Sequence, residues 1–150
     1  MIAASVGYDL TFLVHVVAAV ATVTVFVALR VAAQAVARGA DAATQARLFP
    51  GRTNWAARVL HVLPLSGITM SLIGDASVSL TRPWIIVGLV CYLAAAGHLE
   101  ARTLPLERVV SEVVAHEGVA SPSRGRELVR SIDVLLGLVA LALVAMLVQF

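Results

Sequence analysis

The sequence predicts an all-α integral membrane protein, a four-helix bundle. Of its 150 residues, 60% are apolar and only 13% are charged. Soluble domains are about 45–50% apolar and about 25% charged, so a chain this apolar cannot cover itself with polar surface in water. Four apolar stretches can each cross about 30 Å of hydrocarbon, which takes roughly 20 helical residues. The composition excludes a disordered chain, a disulfide scaffold and an ordinary soluble enzyme.

The four predicted spans belong to a single transmembrane domain that covers the chain. Their approximate bounds are residues 10–30, 55–74, 83–101 and 130–150. The first span ends at Arg30. The second contains Pro64 and Gly67, which membrane helices tolerate when neighbouring groups satisfy the backbone. The third begins at Pro83, a favourable first helical residue, and the fourth is nearly pure Leu, Val and Ala.

The basic residues predict the orientation of these spans. All eleven are arginines, and ten lie in or beside the loops that join spans one and two and spans three and four. Only Arg82 lies between spans two and three. The positive-inside rule makes the arginine-rich side cytoplasmic and both termini extracytoplasmic. Arginine without lysine fits a GC-rich bacterium, so we expect a multi-pass protein of a bacterial cytoplasmic membrane. The scattered arginines and the lack of any nucleic-acid motif argue against a nucleic-acid partner.

The second cytoplasmic loop contains an amphipathic pattern. Pro105 and Gly118 bound a predicted helix at about residues 105–117. Its apolar residues recur at helical spacing along one stripe: Leu106, Val109, Val110, Val113 and Val114. Such a helix lies in the membrane interface, extends the third span, covers the end of the bundle or docks on a partner.

Ionisable residues within the spans are the candidate functional residues, because charge inside a bilayer is costly. At about 1.5 Å of rise per residue, His61, His98 and Asp133 lie at a similar depth near the cytoplasmic side, and Arg30 can join them. His15 lies in the outer leaflet, about 10 Å from the level of His61 if both helices are straight.

Three interpretations of these residues are open. Two imidazoles on facing helices hold a b-type haem iron, so His61 and His98 are predicted haem ligands, with Arg30 and Arg58 pairing with the propionates. Alternatively, a divalent metal ion binds within the set His15, His61, His98 and Asp133. In the structural interpretation, each histidine instead hydrogen-bonds a neighbouring helix, with His15 reaching Ser66 or Ser71, and Asp133 pairs with Arg130 or Arg58.

Four segments carry a family resemblance: Phe12–Ala19, Leu65–Thr69, Arg82–Leu89 and Asp133–Leu136. Through them the chain resembles short bacterial four-span proteins known as predicted integral membrane proteins of unknown function, distantly akin to the copper-resistance D domain. The family's first-span histidine matches His15. The Trp-x-Gly-Gly that often follows it is replaced here by Thr22-Val23-Thr24-Val25. The resemblance implies this topology and a link to metal or haem.

Three functions follow as expectations. The first is a small ligand-binding bundle that holds haem or a metal ion. The second is a non-catalytic accessory subunit of a larger membrane complex, for example a respiratory one, which packs through the small-residue surface Ala94–Gly97 or through the Leu106–Val114 stripe. The third is copper handling, with His15 and Met70 as the residues to test. A homo-oligomer is also compatible with the sequence. We find no pattern of residues that indicates an enzyme.

Overall fold

The computed structural model describes residues 2–51, 54–75 and 78–149, and this part of the chain is helical throughout, apart from the connecting turns. Its elements are α1 (Ile2–Ala37), α2 (Ala42–Leu48), a 3₁₀ turn (Ala56–His61) that runs into α3 (Val62–Ile73), α4 (Pro83–His98), a π-helical turn (Leu99–Thr103) that runs into α5 (Leu104–Glu117), and α6 (Pro122–Val148). Arg52 and Phe150, which the sequence assigns to the first loop and to the end of the fourth span, lie outside the described residues.

Four helical stretches are long and apolar enough to cross a membrane. They are Val6–Ala37, Ala56–Ile73, Pro83–Glu117 and Pro122–Val148. The prediction of an all-helical chain with four candidate spans is therefore confirmed, and the chain has the features of a multi-pass membrane protein.

The first and last helices form the centre of the bundle. α1 packs against α6 and α3, and α4 packs against α6. The tightest core lies between the second half of α1 and the first half of α6, where Phe26, Val36, Leu128, Ile132 and Leu135 are fully buried. The opposite ends of both helices carry exposed apolar side chains, as expected of surfaces that face lipid.

α4 and α5 form one continuous helical rod. The π-helical turn ends two residues before Pro105, whose missing N–H leaves the carbonyl one turn earlier without its usual donor. Along α5, Val110 and Val114 belong to the buried core, and Leu106 and Val113 pack against it. Four of the five stripe residues therefore face the protein's own core, whereas Val109 is exposed, and α5 extends the third candidate span.

The two arginine-rich loops are joined through buried Gln45. Its amide nitrogen donates to the carbonyl of Ala40 at 2.8 Å, and its amide oxygen accepts from the backbone N–H of Ala120 at 2.9 Å. One turn earlier, Asp41 caps the N-terminus of α2 by accepting from the backbone N–H of Thr44. The loops are thus tied to each other at one end of the bundle.

Candidate functional site

Contacts with other helical elements of the same chain are made by all six ionisable residues that the sequence singled out: His15, Arg30, Arg58, His61, His98 and Asp133. Most of these contacts lie at the end of the bundle where the arginine-rich loops meet, and they form three groups. A fourth contact, at His15, lies nearer the N-terminus of α1.

The first group joins α1 to α6. Nε of Arg30 donates to Oδ1 of Asp133, and Nη1 of Arg30 donates to the side-chain oxygen of Gln34 at 3.3 Å. Both members of the ion pair are partly exposed. The sequence placed Arg30 against a haem propionate and Asp133 in a metal site, but the structure pairs these two residues with each other.

The second group joins the 3₁₀ turn before α3 to the α4 rod. Arg58 donates to both carboxylate oxygens of Glu100 through Nε and Nη2, each at 2.9 Å. A bidentate arginine–carboxylate pair fixes orientation as well as charge. The Arg58 guanidinium also lies over the ring of Trp55, 4.8 Å from its centroid. This contact adds a cation–π interaction to the ion pair.

His61 belongs to the same group and uses both ring nitrogens. Its Nδ1 lies 3.0 Å from the hydroxyl of Tyr92, and its Nε2 lies 3.4 Å from Oε1 of Glu100. Sequence reasoning missed Tyr92 and Glu100. Glu100 falls within the predicted third span, so the rule that singled out the histidines applies to it equally.

The third group joins α4 to α6 through His98. Its Nε2 lies 3.1 Å from the carbonyl oxygen and 3.0 Å from the hydroxyl oxygen of Ser131. A carbonyl oxygen only accepts hydrogen bonds, so Nε2 carries the proton in this arrangement. The Ser131 hydroxyl also lies 2.8 Å from that of Thr103, and both of these residues are buried. Ser131 and Thr103 were not singled out from the sequence.

His61 approaches α4 on a different side from the one on which His98, the last residue of α4, projects. His61 touches Tyr92, and the six residues from Tyr92 to His98, at about 100° each, place these two positions about 120° apart around the helix. A bis-histidine haem needs both imidazoles to face one iron with unprotonated nitrogens, and the contacts of these two histidines do not fit that arrangement.

The four predicted metal ligands are likewise too scattered to share one ion. Within residues 2–51, 54–75 and 78–149, no group of three or more His, Cys, Asp or Glu residues is placed to hold a metal ion. His15, His61, His98 and Asp133 each contact a different partner. Haem and metal binding stay predictions.

His15 joins α1 to α3. Its Nδ1 lies 2.9 Å from Oγ of Ser66, which confirms the predicted hydrogen bond between them. The Ser66 hydroxyl lies 2.8 Å from the carbonyl of Val62, so it donates its only proton there and accepts from His15. A Cβ at Gly67 would lie 3.5 Å from Cε1 of His15, so the imidazole rests directly against the backbone of α3.

Comparison with protein-family models, with curated proteins and with solved structures finds no match to this chain. The class of the protein therefore rests on its helices: an all-helical chain with four stretches that can cross a membrane. Its site is the set of interhelical contacts described above.

Proposed function

We propose that this protein is a small, non-catalytic accessory subunit of a larger membrane complex. One observation carries the proposal: the six ionisable residues that the sequence singled out all join the protein's own helices to one another. Arg30 and Asp133 join α1 to α6, and His98 joins α4 to α6. Arg58 joins the start of the second span to the third, and His15 joins α1 to α3.

Such contacts stabilise the relative positions of spanning helices. Polar contacts between membrane helices contribute about 0.6 kcal/mol on average, and they set the rotation of helices whose apolar faces are otherwise alike. In the described part of the chain, every buried side-chain nitrogen and oxygen has a hydrogen-bond partner. This pattern supports a rigid scaffold more strongly than a site whose polar groups point towards a substrate.

The surface we assign to the partner lies on α4. Apart from Val109, the Leu106–Val114 stripe packs on the protein's own core, whereas Ala94 and Gly97 are exposed on the outer side of α4. A Cβ at Gly97 would meet no atom within 4 Å, so the helix backbone is accessible there. Small residues let a second spanning helix approach closely, and we propose that this helix belongs to the larger complex.

Blue-native electrophoresis of membranes solubilised in mild detergent tests this proposal. The wild-type chain should migrate far above the size of a monomer or a small homo-oligomer. Gly97→Leu should release it from the complex, whereas Ala28→Leu, at an exposed small residue of α1, should not. Migration of the wild-type chain as a monomer, or a complex that tolerates Gly97→Leu, would contradict the proposal.

We also propose that the arginine-rich end of the bundle faces the cytoplasm of a bacterium, with α5 near the inner membrane surface and both termini outside. The ten-to-one distribution of arginines supports this orientation. Alkaline phosphatase fused to either terminus should be active, and green fluorescent protein at the same positions should be dark. Inactive phosphatase with bright green fluorescent protein would contradict this orientation and place both termini in the cytoplasm.

The same purified protein decides between the accessory role and the ligand-binding roles. An absorption spectrum with metal analysis addresses haem and copper together. A Soret band that His61→Ala or His98→Ala removes, or stoichiometric copper that His15→Ala or Met70→Ala removes, would replace the accessory role with a ligand-binding one.

A further inference from the structure

A basic cleft lies between the end of α4 and the first half of α6. Its volume is about 530 Å³, within the range of about 300–1,000 Å³ that small-molecule sites occupy. His98 and Arg102 line one wall, and α6 contributes Arg126, Glu127 and Arg130 to the other. Three guanidinium groups therefore face one carboxylate, so the cleft carries a net positive charge.

Two of these arginines have no partner within the described part of the chain. Arg102 donates to Glu127 over 3.4 Å, and both side chains are more than half exposed. Arg126 and Arg130 have neither a hydrogen bond nor an ion pair with any described residue. They are four residues apart on α6, so their side chains lie on the same helix face. Guanidinium groups on one face are well placed to bind the oxygens of a phosphate.

A second cleft at the same end of the bundle provides a contrast. It has a volume of about 160 Å³, and its lining balances Arg58 and Arg108 against Glu107 and Glu112. Arg58 is moreover held by both carboxylate oxygens of Glu100. Charge and free donors therefore favour an anion in the first cleft only.

The position of the first cleft indicates the source of the phosphate. Its inner limit is Val134, which is exposed, and the exposed side chain of Leu141 follows two turns further along α6. The arginines thus lie where the apolar part of α6 begins, which is where headgroups meet a helix that spans a bilayer. Basic pockets between spanning helices are typical sites for acidic lipids. We propose that this cleft binds the phosphate of an anionic phospholipid, whose acyl chain lies along Val134 and Leu141.

Lipid titration of the purified full chain in a nonionic detergent tests this site. Native mass spectrometry would measure the binding of phosphatidylglycerol, of phosphatidylcholine with the same acyl chains, and of inorganic phosphate. Phosphatidylglycerol should bind most tightly. Each arginine removed should weaken its binding about fivefold, so Arg126→Gln with Arg130→Gln should weaken it about 25-fold. Arg108→Gln, which removes an arginine from the balanced cleft, should have no effect.

A second variant, which should bind the lipid more tightly, provides a test if the double variant does not fold. Glu127→Gln removes the carboxylate that competes for Arg102, so it should bind phosphatidylglycerol more tightly than the wild type. Equal binding of the two lipids, or unchanged binding by the double variant and by Glu127→Gln, would overturn the proposal. Binding of inorganic phosphate as tight as that of phosphatidylglycerol would overturn the lipid assignment and indicate a soluble anion. The result does not depend on the accessory role, because no partner protein is needed.

Discussion

Replacing Gly125 by alanine tests how closely α1 and α6 approach each other. A Cβ at this position would lie 2.8 Å from Cα of Ala37 and 2.8 Å from the carbonyl carbon of Val36, and closer still to the nitrogen of Ala37. All three neighbours are backbone atoms, so no side chain can rotate out of the way. Ordinary contact begins at 3.4 Å, so the two helices must separate by more than the 0.6 Å that the two carbon atoms require, because the nitrogen of Ala37 is closer still.

The cost of that separation follows from the core beside it. Val36, Leu128 and Ile132 are fully buried next to this contact. A gap of about 0.5–1 Å removes a quarter to a half of the dispersion energy of each contact it opens. Overpacking of this kind costs about 1–3 kcal/mol, and a rigid backbone neighbour favours the upper value. Alanine returns up to about 1 kcal/mol of helix propensity, so we expect a net loss of about 2 kcal/mol.

The assay is reversible unfolding of the purified protein in mixed micelles, followed by circular dichroism. Gly137→Ala is the matched control, because it makes the same substitution in the same helix at a site where a Cβ meets no atom within 4 Å. The control should leave stability unchanged or raise it by up to about 1 kcal/mol. Equal effects of the two substitutions would refute the close approach of α1 and α6 at Gly125.

Two further predictions concern the loops. Gln45→Ala should lower the free energy of unfolding by about 3 kcal/mol, because it leaves a cavity and removes the side-chain hydrogen bonds to Ala40 and from Ala120. Gln45→Leu should recover only part of this loss in the same unfolding assay. The backbone N–H of Thr44, and then its hydroxyl, hold the pKa of Asp41 below its ordinary value of 3.8. The cap should therefore stabilise the fold above pH 3.8, and this stabilisation should be lost as the pH falls through the lower pKa of the folded state. Unfolding midpoints measured between about pH 6 and about pH 3 should show this decline in the wild type and less of it in Asp41→Asn; an equal decline in both would contradict the cap.

The four candidate spans could be predicted from the sequence because length and hydropathy alone define them. A helix of about 20 apolar residues has few alternatives in a chain this poor in charge. The join between α4 and α5 was only one of the alternatives that the sequence left open. Pro105 indicated a helix start, but the π-helical turn before it accommodates the missing N–H and lets one helical rod continue from Pro83 to Glu117. A local signal for a boundary was thus outweighed by the packing of Val110 and Val114 on the core.

The pairing of the polar residues could not be predicted, because depth is only one of the two coordinates that place a side chain in a bundle. Counting residues from the span ends placed His61 and His98 at one level, but contact also requires that their helices turn the right faces towards each other. An almost wholly apolar helix carries no amphipathic signal for that rotation. In the structure, Tyr92 and Glu100 mark the side of α4 that meets His61, and Ser131 marks the side that meets His98. In spans of this kind, the rotation of a helix is therefore indicated by the polar residues that contact the histidines, and an interpretation that leaves out Tyr92, Glu100 and Ser131 loses this information.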